Sequence, residues 1–109
     1  MVRSLSEIKR IVRDYKKELL RHNIRLSQAI LYGSYARGNP KPYSDIDLVV
    51  VSPDLAKFPA LKRQELLARL TMNIDAPLEI LGYTPEELGK SADTIFGQII
   101  QKTGKLLRS

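Results

Sequence analysis

The sequence predicts an α/β (α+β) fold in which helices flank a small mixed β-sheet. Helical and strand patterns alternate along the chain, which is typical of a sheet covered by helices. Val49, Val50 and Val51 are consecutive β-branched residues, as in a strand that is buried on both faces. The length of 109 residues is that of one small domain, so we expect residues 1–109 to form a single domain.

The first helix has the clearest start signal. Ser4 and Glu7 have the spacing of a capping box. Apolar residues then recur at helical spacing from Leu5 to Leu19. We therefore expect a helix that ends near Arg21.

Turn residues separate the other predicted elements. In chain order they are strands over 26–32 and 45–51, a helix over 60–72, a strand over 77–81, a helix that Thr84 begins, a helix over 93–101 and an edge strand over 104–108. Asp93 is expected to cap the last helix. The residues expected to be buried on the helices over 60–72 and 93–101 are Leu61, Leu66, Leu67, Leu70, Ile95, Phe96, Ile99 and Ile100.

The net charge of +6 is unevenly distributed. Residues 1–25 hold eight basic and three acidic residues, whereas residues 26–100 hold seven and nine, and residues 101–109 hold three and none. An acidic middle between basic ends disfavours a general nucleic-acid binder. Basic ends of this kind are commonly no more than solvated surface.

Several classes of protein are excluded by composition. The absence of cysteine excludes a disulfide scaffold, a thiolate metal site and a cysteine nucleophile. No apolar run approaches the roughly 18 residues of a membrane span, so no membrane association is expected. The first residues lack the apolar stretch of a secretory signal, so the cytoplasm is the expected location.

Two aspartates stand at the start of the valine-rich strand. Because side chains alternate along a strand, Asp45 and Asp47 point the same way, roughly 6.5–7 Å apart. Two like charges on a hydrophobic strand need compensation, which a divalent cation such as Mg²⁺ supplies directly. The alternative is that both carboxylates bond loop amides near the strand's start, as isolated aspartates commonly do.

A glycine-serine pair precedes the aspartates by ten residues. Gly33 lets the backbone approach a ligand closely, and the amides of Ser34 and Tyr35 would open a helical turn where anions bind. Arg37 would add positive charge. The pair alone is commonly an ordinary turn, but with the aspartates it makes the two halves of a nucleotide–metal site.

These motifs resemble a known family. Gly33-Ser34, ten residues and then Asp45-Ile46-Asp47 match the signature of the DNA polymerase beta-like nucleotidyltransferase superfamily. The surrounding residues look like those of its smallest members, the minimal nucleotidyltransferases, and the resemblance covers essentially the whole chain.

The resemblance implies a fold and a reaction. The fold would be that of polymerase beta-type nucleotidyltransferases, and the reaction would move a nucleoside monophosphate, AMP from ATP, to an acceptor hydroxyl. Asp45 and Asp47 would hold two Mg²⁺ ions, while Gly33 and Ser34 would hold the β- and γ-phosphates.

The superfamily usually has a third carboxylate on a neighbouring strand. The candidates are Glu79, inside the strand predicted over 77–81, and Asp75, in the preceding loop. Glu79 is favoured, although superfamily members generally show aspartate at this position. A glutamate is one methylene longer and Mg²⁺ demands near-ideal geometry, so whether the enzyme is active stays open.

The resemblance also suggests a partner. Minimal nucleotidyltransferases are commonly paired with a helical HEPN-domain protein, in several cases a toxin that the nucleotidyltransferase adenylates as its antitoxin. The alternative is a weak or inactive module that neutralises a HEPN partner by contact alone. The nucleotide, the acceptor and the oligomeric state, homo- or hetero-oligomer, are left open by the sequence.

Four tyrosines are candidates to lie near the site. Tyr35 and Tyr43 are the candidates for stacking on a base, because they lie between the two halves of the motif; Tyr32 and Tyr83 are the others. Packing or surface roles are the commoner fate of such residues.

Overall fold

The computed structural model describes residues 2–107, which form one mixed four-stranded sheet with helices on both faces. The strand order is β3-β2-β1-β4, where only the pair β2–β3 is parallel. The predicted fold class is therefore confirmed. The elements are α1 (Leu5–Arg21), β1 (Gln28–Tyr32), α2 (Ser34–Arg37), β2 (Ile46–Val51), α3 (Ala60–Leu70), β3 (Leu78–Tyr83), α4 (Pro85–Lys90), α5 (Ile95–Thr103) and β4 (Lys105–Leu107), with 3₁₀ turns at Pro53–Lys57, Thr71–Asn73 and Ser91–Asp93.

The sheet separates two apolar clusters. The larger cluster lies under α1 and α3 and includes Tyr15, Leu48 and Leu67. The smaller one lies under α4 and α5 and contains Val49, Val51 and other residues. Alternate residues of β2 enter opposite clusters, which explains why its valine run is apolar throughout.

The start and the packing of α1 agree with its sequence pattern. The Ser4 hydroxyl accepts a hydrogen bond from the Glu7 amide at 3.2 Å, so the predicted cap is confirmed. Tyr15 is fully buried and its hydroxyl donates to the Leu67 carbonyl at 2.8 Å, which joins α1 to α3. Burial raises the pKa of this phenol.

The predicted buried faces of the later helices are wrong at three residues. Leu61 is 73% exposed, Ile95 is 79% exposed and Ile99 is 44% exposed. On α3, Arg63 is buried and Leu61 is not, because the ion pair with Glu87 satisfies the charge of Arg63. Of the four residues predicted on α5, Ile100 is buried and Phe96 packs against the same smaller cluster, partly buried.

Several other predicted boundaries also differ: β1 begins at Gln28, α3 ends at Leu70 and α5 ends at Thr103. Thr94 caps α5 in place of Asp93, since its hydroxyl accepts from the Gly97 amide at 2.9 Å. The strand predicted over 77–81 extends to Tyr83, whose partner in the ladder is Val51. The edge strand is confirmed at Lys105–Leu107, and Arg108 lies outside the described residues.

The outer edge of β3 is closed by side chains of α3. The Gly82 amide donates to Gln64 Oε1 at 3.0 Å, and Gln64 Nε2 donates to the Ile80 carbonyl at 3.1 Å. The Gln64 amide thus takes the place of a neighbouring strand.

In the part of the chain that the structure describes, no helix is both long and apolar enough to cross a bilayer.

An ion pair ties α3 to α4. Arg63, 7% exposed, donates to both carboxylate oxygens of Glu87, at 2.6 and 3.3 Å. Glu87 also completes the capping box of α4 by accepting from the Thr84 amide at 2.8 Å. The hydrogen bond from Arg63 is the main cause that lowers the pKa of Glu87 from its usual 4.5.

We predict that Glu87→Ala lowers the free energy of unfolding by about 1–3 kcal/mol, because it removes one of the two bonds of the capping box and leaves a buried guanidinium without its carboxylate partner. The folded-state pKa of Glu87 is lowered, so this stabilisation is present above pH 4.5 and is lost as the pH falls through the lowered pKa. Urea denaturation across pH 3–7 measures both effects.

The matched control is Glu86→Ala, which changes an exposed glutamate in the same turn. Its effect should stay within about 0.5 kcal/mol at every pH. Equal losses in the two variants would show that the ion pair stabilises nothing.

Candidate active site

The sheet brings the two halves of the sequence motif together. β1 runs antiparallel to β2, and Tyr32 at the end of β1 lies opposite Asp47 near the start of β2. Gly33, which follows Tyr32, therefore stands beside Asp47 although fourteen positions separate them in the sequence. The hydrogen bond from the Ile46 amide to the Pro77 carbonyl, 2.8 Å long, aligns the same end of β3.

Gly33 contacts the carboxylate of Asp47. A Cβ on Gly33 would collide with Asp47 Oδ2 and would lie 3.0 Å from its Cγ. The backbone of Gly33 has φ 75° and ψ −154°, a conformation that is essentially restricted to glycine. Both observations require glycine at this position.

The turn after Gly33 is the short helix α2. The Ala36 and Arg37 amides donate to the Gly33 carbonyl at 3.1 and 3.0 Å. The Ser34 and Tyr35 amides belong to the first turn of α2 and so have no acceptor within the helix. Two amides are thus presented at the end of the sheet where Asp47 lies.

Three carboxylates lie near one another at this end of the sheet. Glu79 is the ladder partner of Asp47 on the parallel strand β3, and Asp45 precedes Asp47 by two positions. Burial raises the pKa of Asp47, the charges of Glu79 and Asp45 raise it further, and the Arg37 guanidinium lowers it. The four groups are therefore close enough to interact electrostatically.

The two candidates for the third carboxylate are placed differently. Asp75 lies exposed in the loop before β3, and it is not among the groups that shift the pKa of Asp47. Glu79 lies beside Asp47. Within residues 2–107 no group of three or more histidine, cysteine or acidic side chains is arranged so as to hold a metal ion.

Tyr32 is a neighbour of Asp47 that the sequence pattern did not single out. It faces Asp47 across the ladder, and its ring meets the ring of Phe96 on α5 edge to face, with centroids 5.3 Å apart. Burial, and then the charges of Asp47 and Glu79, raise the pKa of its phenol to about 12. The sequence signal for Tyr32 is its position directly before Gly33.

The two tyrosines favoured for stacking behave differently. Tyr35 is buried and its hydroxyl accepts a 3.2 Å hydrogen bond from the Arg3 amide, so it packs against the start of the chain. Tyr43 is 78% exposed. Tyr35 therefore has the packing role that is the commoner one for such residues, because the short helix turns its ring into the core.

The fold and the site define an α/β protein in which an amide-bearing glycine turn faces paired carboxylates at one end of a mixed sheet. Residues 5–105 match the family described as "Nucleotidyltransferase domain", and the chain belongs to this family.

Relatives support this membership. A protein of Methanocaldococcus jannaschii named "Putative protein adenylyltransferase MJ1215" is 47% identical over 60 residues, which are 52% of this chain and 69% of that protein. The "Protein adenylyltransferase MntA" of Shewanella oneidensis is 33% identical over 91 residues, or 83% of this chain, and the match spans 60% of its own length.

A solved structure described as "Crystal structure of the toxin-antitoxin with AMP-PNP" superimposes with a TM-score of 0.58 at 31% identity. The superposition covers 88% of this chain and 72% of that one.

We predict that Gly33→Ala lowers the free energy of unfolding by about 2–4 kcal/mol, through backbone strain and through the collision with Asp47. The matched control is Gly38→Ala, where φ is 81° but a Cβ meets nothing within 4 Å, so that only strain of about 1–2 kcal/mol remains. Urea denaturation compares them. Equal losses would show that the contact with Asp47 is unimportant for the turn.

We predict that Asp47→Asn raises stability at neutral pH in EDTA by about 0.5 kcal/mol, or about 2–4 °C in Tm, because it removes repulsion from Glu79 and Asp45. The folded-state pKa of Asp47 is raised above 3.8, so its ionisation opposes folding. The gain therefore vanishes as the pH falls below the unfolded pKa. Scanning calorimetry measures the change. Asp14→Asn, which changes an exposed acid on α1, is the control. A loss of stability in Asp47→Asn would contradict the repulsion.

Proposed function

We propose that the chain is an Mg²⁺-dependent nucleotidyltransferase that transfers AMP from ATP to a hydroxyl of a HEPN-domain partner protein and thereby acts as an antitoxin. The observation that carries this proposal is the contact of the Gly33 turn with Asp47, with Glu79 beside it in the ladder. The names of the relatives and the toxin-antitoxin neighbour with AMP-PNP support the nucleotide and the type of acceptor.

The residues fit a magnesium–nucleotide complex. Mg²⁺ commonly binds through one or two carboxylates together with substrate phosphates, and Asp45 and Asp47 supply such carboxylates on one face. When bound, two Mg²⁺ ions would stabilise charge on the attacking and leaving oxygens. Glu79, beside Asp47, is the third carboxylate in this proposal.

The glycine turn would hold the part of ATP that leaves. The Ser34 and Tyr35 amides, which have no acceptor within α2, would donate to a bound anion, and Arg37 adds a positive charge that already acts on Asp47. These groups are suited to the β- and γ-phosphates. In the reaction the acceptor oxygen bonds to the α-phosphorus, the bond to the β-phosphate oxygen breaks and pyrophosphate departs.

The proton of the acceptor hydroxyl needs a base. Glu79 is exposed and lies beside Asp47, so it is placed to take this proton as the new P–O bond forms. We assign the reaction to the single domain of residues 1–109, and to the cytoplasm, with the partner supplying the acceptor in a hetero-oligomer.

Labelled ATP tests the transfer. The purified chain, MgCl₂ and the purified product of the adjacent gene should transfer label from α-labelled ATP, and no label from γ-labelled ATP, to that product. Asp47→Asn should reduce the rate at least about a hundredfold, because it removes a carboxylate that would hold the Mg²⁺ ions against the phosphates.

The control for this experiment is Asp14→Asn, which changes an exposed acid on α1 and should leave the rate unchanged. Transfer of γ-label, or full transfer by Asp47→Asn, would contradict the proposal.

The second candidate is a module that neutralises its partner by contact alone. The observation that favours it is a glutamate, Glu79, where the superfamily generally has aspartate. If this candidate is correct, cells that express the partner survive equally well with the wild type and with Asp47→Asn. A loss of protection in Asp47→Asn, with normal expression and partner binding, would eliminate it.

A further inference from the structure

The helix α5 carries more apolar surface than the core covers. At about 3.6 residues per turn, Ile95, Ile99, Phe96 and Ile100 follow one another around the helix within an arc of roughly 140°. Ile100 is buried and Phe96 is partly buried against the smaller cluster, whereas Ile95 and Ile99 are exposed. An amphipathic helix normally turns its whole apolar stripe to the core. The exposed part of the stripe, Ile95 and Ile99, is called the α5 patch below.

The α5 patch adjoins the candidate active site. The Phe96 ring, which follows the patch around the helix, contacts the ring of Tyr32 with centroids 5.3 Å apart. Tyr32 and Glu79 are the ladder partners of Asp47 on its two sides. Side chains of ladder partners lie on the same face, so both carboxylates lie on the face of the sheet that α5 covers. The apolar stripe of α5 therefore leads from the patch to the carboxylates.

The patch is distant from both limits of the described range. Leu107, the last described residue of β4, pairs with Ala29 near the start of β1, whereas Tyr32 is at the end of β1. At the other limit, the Arg3 amide bonds to Tyr35, which belongs to the larger cluster on the opposite face of the sheet. The exposure of the patch is therefore a property of the described fold.

We propose that the α5 patch docks the protein segment that carries the acceptor hydroxyl, and that this segment presents apolar side chains beside the hydroxyl. The inference rests on the proposed function, because it names the surface where that acceptor binds. The hydroxyl has to reach Asp47 and Glu79, so the residues around it come to lie near Tyr32 and Phe96. A charged side chain placed on two isoleucines would lose water without gaining a partner, so an apolar one is favoured there.

The size and the chemistry of the patch disfavour two other occupants. Two isoleucines expose on the order of 200 Å² of apolar surface, whereas each side of a stable dimer interface buries about 800 Å². A small contact is instead typical of a transient encounter, such as that with a substrate that leaves after transfer. A nucleobase binds best by stacking on aromatic rings, which the isoleucines do not offer.

Transfer kinetics test the patch with the purified product of the adjacent gene as the acceptor. The double variant of Ile95→Ser and Ile99→Ser should raise KM for this protein at least about fivefold, because apolar contact is lost. Its kcat and its KM for ATP should change less than twofold. The matched control is Leu61→Ser, since Leu61 is equally exposed but lies on α3, which packs against the larger cluster on the opposite face. It should change neither KM more than twofold.

A binding measurement separates the inference from the proposed function. In Asp47→Asn without ATP, the acceptor protein should shift the NMR methyl resonances of Ile95 and Ile99 and leave that of the exposed Met72 unchanged. This readout needs neither transfer nor a change in the patch. If the isoleucine methyls shift but the wild type transfers no AMP, the proposed function fails and the docking surface remains.

Four results would overturn the inference while the proposed function stands. They are transfer with an unchanged KM for the acceptor in the double variant, isoleucine methyls that do not shift, a raised KM for ATP, and a wild-type dimer in light scattering that the double variant abolishes. Mass spectrometry of the labelled acceptor tests its chemistry. Serine in place of the apolar neighbours of the labelled residue should raise KM with the wild type but not further with the double variant. Equal effects on both would also overturn the inference.

Discussion

The contact between the Asp47 carboxylate and the Cα of Gly33 determines the geometry of the candidate site. It lies where the end of β1 meets the start of β2, beside the two backbone amides that begin the short helix α2. No larger residue could occupy position 33 without displacing the carboxylate. The antiparallel pairing of β1 with β2 and the parallel pairing of β2 with β3 then place Glu79 on the other side of Asp47.

This arrangement works against folding. Three carboxylates lie near one another at one end of the sheet, and Arg37 is the one cation in the described residues that lowers the pKa of Asp47. Removal of water and two like charges raise that pKa, so the ionised site is less stable than a neutral one would be. Such a cost is typical of sites that a cationic ligand completes, because the ligand supplies the missing charge.

Sequence predicted the local features well and the tertiary ones unevenly. The caps at Ser4 and Thr84 depend on neighbours three residues away, so their patterns were sufficient. The burial of Arg63 and the exposure of Leu61 depend on a contact with α4, which no helical periodicity encodes. The role of Tyr32 required the strand register, since only the ladder shows which side chain faces the acids.

Gln64 has a consequence for how large any complex can grow. Its amide pairs with two backbone groups at the outer margin of β3 from within the chain, which disfavours pairing with another strand there. A protein that offered both margins could polymerise into an open-ended ribbon. Gln64 disfavours such growth at the β3 margin, because it already holds two of the backbone groups that another strand would need.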